Sequence, residues 1–354
     1  MKIIPINNYH YLYVIVRYES KKLLTVKDLI YLANSLDIPT FRQRLLKFFP
    51  DLVTKIFPNL DSIHKYFTED EIYSVSRVIK NSPIQISNFL ITLFLLNFEV
   101  ENIKTIIKSK SLNLSYEEIS RDVHLITERI LERERILKSL IYSNTLLEGL
   151  EFFKGTFYYE YLKKAYEYYE HFQSLSFFDI LLDYGLVKNT LESFSKLNKS
   201  DRKIINEFIK TYVDFYNLKT IIRGKNLGFE EDFLNQVTFL NHSPYQGIIK
   251  LENVNEIINY ISANPNQSNY FNFKGKKTIE ELLTHFRAFY HQKCLTILKK
   301  WGKNNLFSIT SPFSFLLKKR FLIEDIKFIS IGIDYNIRPD DILKRSILCR
   351  QIYQ

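Results

Sequence analysis

Turn-forming residues are scarce in this chain, which has 9 glycines and 9 prolines among its 354 residues. A β-sandwich or a β-barrel needs many turns, so this scarcity argues against both and favours long helices. The two cysteines, Cys294 and Cys349, do not make a disulfide framework and suit a reduced, cytoplasmic setting. The strongest apolar run, from Phe89 to Leu96, is much shorter than the roughly 20 residues that span a bilayer. We therefore expect a protein that is soluble or peripheral to a membrane.

The patterns that mark enzymes and cofactor sites are also missing. The sequence has neither a glycine-rich dinucleotide fingerprint nor a Walker-type phosphate loop. The cysteines have no CxxC partner, and His285 and His291 are six positions apart, which is not the ligand spacing of a helical metal site. No pair of carboxylates stands out in the apolar setting that acid–base catalysis would need. We predict no catalytic residues, no cofactor and no metal.

The charge of the chain suits an anionic partner, because the formal net charge is +10. Nucleic acid, an acidic protein and a membrane surface rich in acidic lipid all fit this charge. The aromatic segment from Phe152 to Phe178 contains lysines, as nucleic-acid stacking platforms do, but glutamates match them. A helix packed on both sides explains the segment better. A basic helical nucleic-acid-binding protein stays open as an alternative.

Three segments of the chain are nearly the same, and they predict an internal repeat. They run from Glu101 to Lys110, from Tyr216 to Lys225 and from Glu324 to Ile333. Their anchor residues are Asn102, Asn217 and Asp325, which lie 115 and 108 positions apart. Repeats of this length are too long for a solenoid and have the size of a small domain. We predict three helical repeats over residues 1–122, 123–238 and 239–354.

Each repeat follows its anchor with the same order of residue types. Seven positions after the anchors stand small residues: Ser109, Gly224 and Gly332. A loop and a pair of acids before an apolar residue come next: Glu117-Glu118 with Ile119, Glu230-Glu231 with Phe233, and Asp340-Asp341 with Ile342. Acids suit a helix start, where free N–H groups and the positive end of the dipole lie. This order predicts a helix, a small-residue stop, a loop and an acid-led helix in each repeat.

Two further stretches complete the predicted organisation. Apolar residues at helical spacing from Ile119 to Ile141 predict a long helix with one slip in its pattern. Its charged residues, which include Glu128 and Arg133, are interpreted as a solvated face. In the third repeat, Ser262 to Asn269 is polar and is predicted to be a surface loop.

The repeated motifs resemble a known family. Tyr212 to Lys225 resembles the central motif of the AC39 family, the C-type and d-type subunits of rotary ATPases, which occur in archaeal-type ATP synthases and vacuolar-type ATPases. Ser311 to Ser314, followed by Glu324 to Lys327, resembles the C-terminal motif of that family. Tyr11 to Arg17 and the leucine pair that follows resemble its opening pattern. The resemblance covers essentially the whole chain, and the archaeal type is the better match.

The resemblance implies an all-α fold of three similar helical domains in a pseudo-threefold, funnel-shaped arrangement. It implies a non-catalytic rotor adaptor at the cytoplasmic face of the cell membrane, where the protein is peripheral. The implied partners are the membrane proteolipid ring and the D-type and F-type central stalk subunits, and nucleic acid is not among them. The implied role is torque transmission that couples ATP synthesis or hydrolysis to ion transport. A scaffold of another assembly is a further alternative.

The family-signature residues are expected to be structural. They are Asn102, Lys104, Asn217, Leu218, Lys219, Arg223, Asp325 and Lys327. A buried amide or carboxylate is tolerated when a partner satisfies it, so we expect the three anchors to bond within their own domain. The lysines, together with Arg223, are expected to form ion pairs. The alternative is that the signature residues contact the ring. The third copy departs from the family pattern at Asp325 and Lys327, where the motif has Asn and Arg.

Overall fold

The fold is all-helical. A computed structural model describes residues 9–50, 52, 59–240, 246–263, 278–301 and 307–350, and within these ranges no strand is present. The predicted all-α class is thereby confirmed. The predicted surface loop from Ser262 to Asn269 lies outside the described residues, except for its first two positions, which end a helix.

The helices of the described ranges follow one another in this order: α1 (Tyr9–Ser20), α2 (Val26–Ala33), α3 (Ile38–Phe48), α4 (Leu60–Lys80), α5 (Ile84–Leu90), a π-helical turn (Ile91–Leu95), α6 (Leu96–Ser111), α7 (Tyr116–Asp122), α8 (Ile126–Ile130), α9 (Glu134–Tyr142), α10 (Leu146–Glu151), α11 (Tyr159–Phe172), α12 (Ser176–Ser195), α13 (Lys199–Asn226), α14 (Glu231–Gln236), a 3₁₀ turn (Gln246–Lys250), α15 (Val254–Ala263), α16 (Ile279–Trp301), α17 (Thr310–Asp334) and α18 (Pro339–Arg345).

The helix starts are specified locally by capping side chains. Thr25 and Asp28 form a reciprocal capping box at the start of α2, and Ser115 and Glu118 form another at α7. Asn198 accepts a hydrogen bond from the third residue of α13. Each such cap satisfies N–H groups that the helix itself leaves open, and removing one costs about 1 kcal/mol. The predicted acid-led starts are confirmed, since α7, α14 and α18 each have two acids in their first turn.

One compact unit joins the two ends of the chain, residues 1–90 and 301–354. Its core brings side chains of α2, α3 and α4 together with side chains of α17 and α18, among them Leu29, Phe41, Phe67, Ile326 and Ile342. More than 250 positions separate the first three of these side chains from the last two, so this core forms only when both ends of the chain fold together.

The second compact unit comprises Ile91–Lys300. Its core includes Ile106 of α6, Leu140 of α9, Leu162 of α11, Leu182 of α12 and Ile221 of α13. The division of the chain into three repeats stays a prediction beside these two units.

The predicted long helix from Ile119 to Ile141 is wrong. The segment forms α7, α8 and α9, with breaks after Asp122 and after Ile130. The second break has a physical cause, since Glu132 adopts a φ of 59°, the left-handed conformation that ends a helix. Glu128 also departs from the prediction of a solvated face, because it is fully buried.

Among the helices that the structure describes, none combines the length and the apolar character needed to cross a membrane.

Candidate functional site

The first two anchor residues bind the backbone 22 positions further along the chain. The Asn102 Oδ1 atom accepts the His124 N–H at 3.2 Å, and its Nδ2 atom donates to the His124 carbonyl at 3.0 Å. Asn217 makes the same two bonds to Phe239, at 2.8 Å and 2.9 Å. An amide side chain offers one acceptor and one donor, so it pairs with both polar groups of one residue. We call each of these bonded pairs an anchor contact.

The third anchor contact uses a carboxylate. Asp325 accepts the N–H of Ile347 at 2.6 Å, which is again 22 positions on, and the N–H of Leu348 at 2.8 Å. A carboxylate has no donor, so it takes two N–H groups where asparagine takes one N–H and one carbonyl. Burial raises the pKa of Asp325 to about 6, against the lowering effect of the two N–H groups. The departure from the family motif at this position therefore comes with a matching change of backbone partners.

The helix that carries each anchor ends in the same hydrogen-bonded turn. The residue after the C-cap has a positive φ in all three: Asn113 at 56°, Gly228 at 73° and Asn336 at 55°. The next N–H then reaches back to the carbonyl of the small residue, in the pairs Leu114 to Ser109, Phe229 to Gly224 and Ile337 to Gly332. This is the Schellman arrangement, which satisfies helix carbonyls that have no partner inside the helix.

The small residues leave room for a side chain of the next helix. A Cβ atom built on Gly224 would overlap the side chain of Leu234, and one built on Gly332 would overlap Ile342. Leu234 and Ile342 each lie 17 positions after their anchor. The sequence pattern placed Phe233 at the position equivalent to Ile342. The packing shows that Leu234, one residue later, occupies that position, so the sequence-based alignment was wrong by one residue. The small residue lets the short acid-led helix pack closely on the long one.

Two signature lysines share one carboxylate, Asp183, which no sequence pattern had singled out. The Lys104 Nζ atom lies 2.5 Å from Asp183 Oδ1 and 3.0 Å from Glu101, and the Lys219 Nζ atom lies 2.9 Å from Asp183 Oδ2. Burial alone would raise the pKa of Asp183, but Lys219 and Lys104 outweigh it and hold that pKa well below its usual range. Asp183 thus links α6, α12 and α13. Its position carried no signal, because a single acid in a helix has no distinctive spacing.

The third signature lysine has a neutral partner. The Lys327 Nζ atom donates to the Thr68 hydroxyl at 2.6 Å, and burial lowers the pKa of Lys327. Ion pairs form about two turns earlier on the same helix, from Arg320 to Glu71 at 2.8 Å and from Lys319 to Asp70. These contacts connect α17 with α4.

The remaining signature residues divide between core and surface. Leu218 is buried in the core of the second unit. Arg223 is exposed and has no ion-pair partner among the residues that the structure describes. Lys108, at the equivalent position after the first anchor, pairs with Asp179 at 2.9 Å. In the described ranges, no three histidine, cysteine, aspartate or glutamate side chains are placed to hold a metal ion.

Comparison with known proteins identifies the family of this helical chain. A family model described as the ATP synthase (C/AC39) subunit matches residues 12–345. The chain therefore belongs to this family.

Curated relatives of the chain are named as the C subunit of the A-type ATP synthase. The one from Methanocaldococcus jannaschii is 25% identical over 73% of this chain and 65% of its own length. The one from Methanosarcina acetivorans is 29% identical over 41% of this chain and 38% of its own length. The one from Pyrococcus horikoshii is 27% identical over 61% of this chain and 56% of its own length. Each match spans less than two thirds of the curated relative.

Proposed function

We propose that the protein is a non-catalytic rotor component of an A-type ATP synthase or ATPase. In this role it caps the membrane proteolipid ring, holds the foot of the central stalk and passes torque between them. Its partners are the ring and the D-type and F-type stalk subunits, and it lies peripherally at the cytoplasmic face of the membrane. Family membership supports a place in the ATP synthase complex, and the rotor role is a more specific proposal about that place.

The observation that carries the rotor role is the recurrence of the anchor contact. Three long helices, α6, α13 and α17, each hold a short helix and the chain after it through a buried side chain and the same helix-ending turn. A part that transmits torque must resist deformation. Buried hydrogen bonds resist it because breaking them leaves polar groups without partners. The signature residues are, in this proposal, structural parts of a stiff adaptor.

Purification from the native host tests the assembly. An affinity tag on this chain should recover proteolipid and stalk subunits from detergent-solubilised membranes. A control purification from cells with the untagged protein should recover neither. Recovery of nucleic acid with a steep salt dependence, in place of these subunits, would favour the alternative of a nucleic-acid-binding protein.

Removal of the protein tests torque transmission. Membranes from a deletion strain should lose ATP-driven ion pumping, while ATP hydrolysis by the detached catalytic head continues. Re-expression of the wild-type chain should restore pumping. Persistent coupled pumping in the deletion strain would refute the rotor role.

A further inference from the structure

Two buried glutamates lie beside the first anchor contact. Glu99 of α6 is 1% exposed, and Glu128 of α8 is 0% exposed. Glu99 has a cation and a hydroxyl as partners, since its Oε2 atom accepts from Arg133 at 2.9 Å and from Tyr158 at 2.5 Å. The guanidinium of Arg133 is therefore directed at Glu99 and not at Glu128.

Glu128 has no such cation among the residues that the structure describes. Its Oε1 atom accepts from Asn102 Nδ2 at 2.8 Å, so Glu128 is bonded directly to the first anchor. Its Oε2 atom is buried and has no hydrogen-bond partner within the described ranges. An ionised carboxylate is strongly disfavoured when it is buried with no counter-charge and with one oxygen that lacks a hydrogen-bond donor. A neutral carboxylic acid is tolerated at such a place.

We propose that Glu128 is a buried proton-binding site: its side chain is a neutral carboxylic acid while the first anchor contact is closed, and the loss of this proton opens the contact. An ionised Glu128 would face the negative charge of Glu99 without a donor for its second oxygen. Water can supply a hydrogen bond to that oxygen only if the packing around it opens, and we expect the anchor contact to open with it, because the Asn102 Nδ2 atom binds both Glu128 and the His124 carbonyl. The inference is independent of the rotor function.

The groups that face Glu128 favour the neutral form. Burial raises the pKa of Glu128 to about 7, and the negative charges of Glu99 and Glu134 act in the same direction, while the Asn102 hydrogen bond opposes them. Tyr158 also faces this group, and its own pKa is raised well above the usual value, so it stays neutral. Arg133 is paired with Glu99, and His124 belongs to the same segment as Glu128.

The chain supplies its own control. The positions 26 residues after the second and third anchors are Ser243 and Gln351, which carry no charge, where the first repeat has Glu128. The second anchor contact, between Asn217 and Phe239, has the same two hydrogen bonds as the first. The two contacts should therefore differ in their response to pH.

Amide hydrogen exchange of the full-length protein measures this difference. The protection factor of the His124 N–H, corrected for the intrinsic rate, should fall as pH rises from 6 to 8.5. With a closed-state pKa of about 7 and an open-state pKa of 4.5, linkage predicts a fall of about tenfold between these two pH values. The Phe239 N–H should show no comparable fall.

Substitutions identify the group responsible. Glu128→Gln keeps the acceptor for Asn102 and cannot ionise, so the fall at His124 should disappear. Glu132→Gln removes the same charge from a position four residues away that is not buried, and it should leave the fall intact. A fall that persists in Glu128→Gln, or equal behaviour of His124 and Phe239 in the wild type, would overturn the proposal.

Infrared spectroscopy keeps the test decisive if Glu128→Gln does not fold. The wild-type protein should show the carbonyl stretch of a protonated carboxyl group at pH 6, and this band should vanish as the pH passes neutrality. Labelling glutamate with ¹³C should shift the band, which separates Glu128 from the buried Asp325. The absence of a glutamate band at pH 6 would also overturn the proposal.

Discussion

Replacement of Asn217 by leucine should destabilise the protein strongly. Asn217 is 0% exposed, and both of its hydrogen bonds go to the backbone of Phe239, at 2.8 Å and 2.9 Å. Leucine has a similar size but no polar atom, so the N–H and the carbonyl of Phe239 both lose their partner. Each stranded group costs about 1–3 kcal/mol, so the loss is about 2–6 kcal/mol. That is a large fraction of the roughly 5–15 kcal/mol that stabilises a typical domain.

Equilibrium unfolding in urea, followed by circular dichroism, measures this loss as a lower midpoint. Asn206→Leu is a matched control, because Asn206 is exposed on the same helix, α13, and its replacement should stay within about 0.5 kcal/mol of wild type. Asn217→Asp extends the test: a carboxylate cannot donate to the Phe239 carbonyl, so this variant should also unfold more easily. An unchanged midpoint for Asn217→Leu together with lost assembly would move Asn217 from a structural role to an interface.

Three further predictions follow from the same geometry. Gly332→Leu should cost about 1–3 kcal/mol of stability, because the new side chain would overlap Ile342, whereas Ile331→Leu at the exposed neighbouring position should be neutral in thermal unfolding. Asp183→Asn should cost about 3–5 kcal/mol, because it leaves Lys219 without its counter-charge and the buried Lys104 with the exposed Glu101 alone. Since the pKa of Asp183 is held below its unfolded value of about 3.8, the stability that this group contributes to the wild type is present above that pH and is lost as the pH falls. The variant should lack this acid-side loss in pH-dependent unfolding. Tyr335→Ser should leave the melting temperature unchanged, because Tyr335 is 75% exposed at the end of α17 and contributes little to the core. If this exposed ring contacts the proposed ring or stalk partners, the variant should copurify with them less well, and wild-type recovery of both would exclude Tyr335 as a contact.

Local signals in the sequence determined the helices and their ends. Few glycines and prolines, capping pairs such as Thr25 with Asp28, and acids at the start of α7 all act within three or four residues, so the sequence shows them directly. The repeated motif around Asn102, Asn217 and Asp325 was visible in the same way, and its resemblance to the AC39 motifs indicated the family. The break of the segment from Ile119 to Ile141 escaped prediction because apolar spacing alone does not show a left-handed residue such as Glu132.

The tertiary structure alone decided the partners and the burial of individual groups. The anchors bond to residues 22 positions away, two lysines share Asp183, and the two ends of the chain form one core. Glu128 looks like a surface charge in the sequence and is buried in the fold. These outcomes depend on which distant helices meet, and the pKa of a carboxyl group depends on the water and charges that remain around it after they meet. The sequence by itself thus determined the repeated pattern, while packing between distant segments determined the chemistry of its side chains.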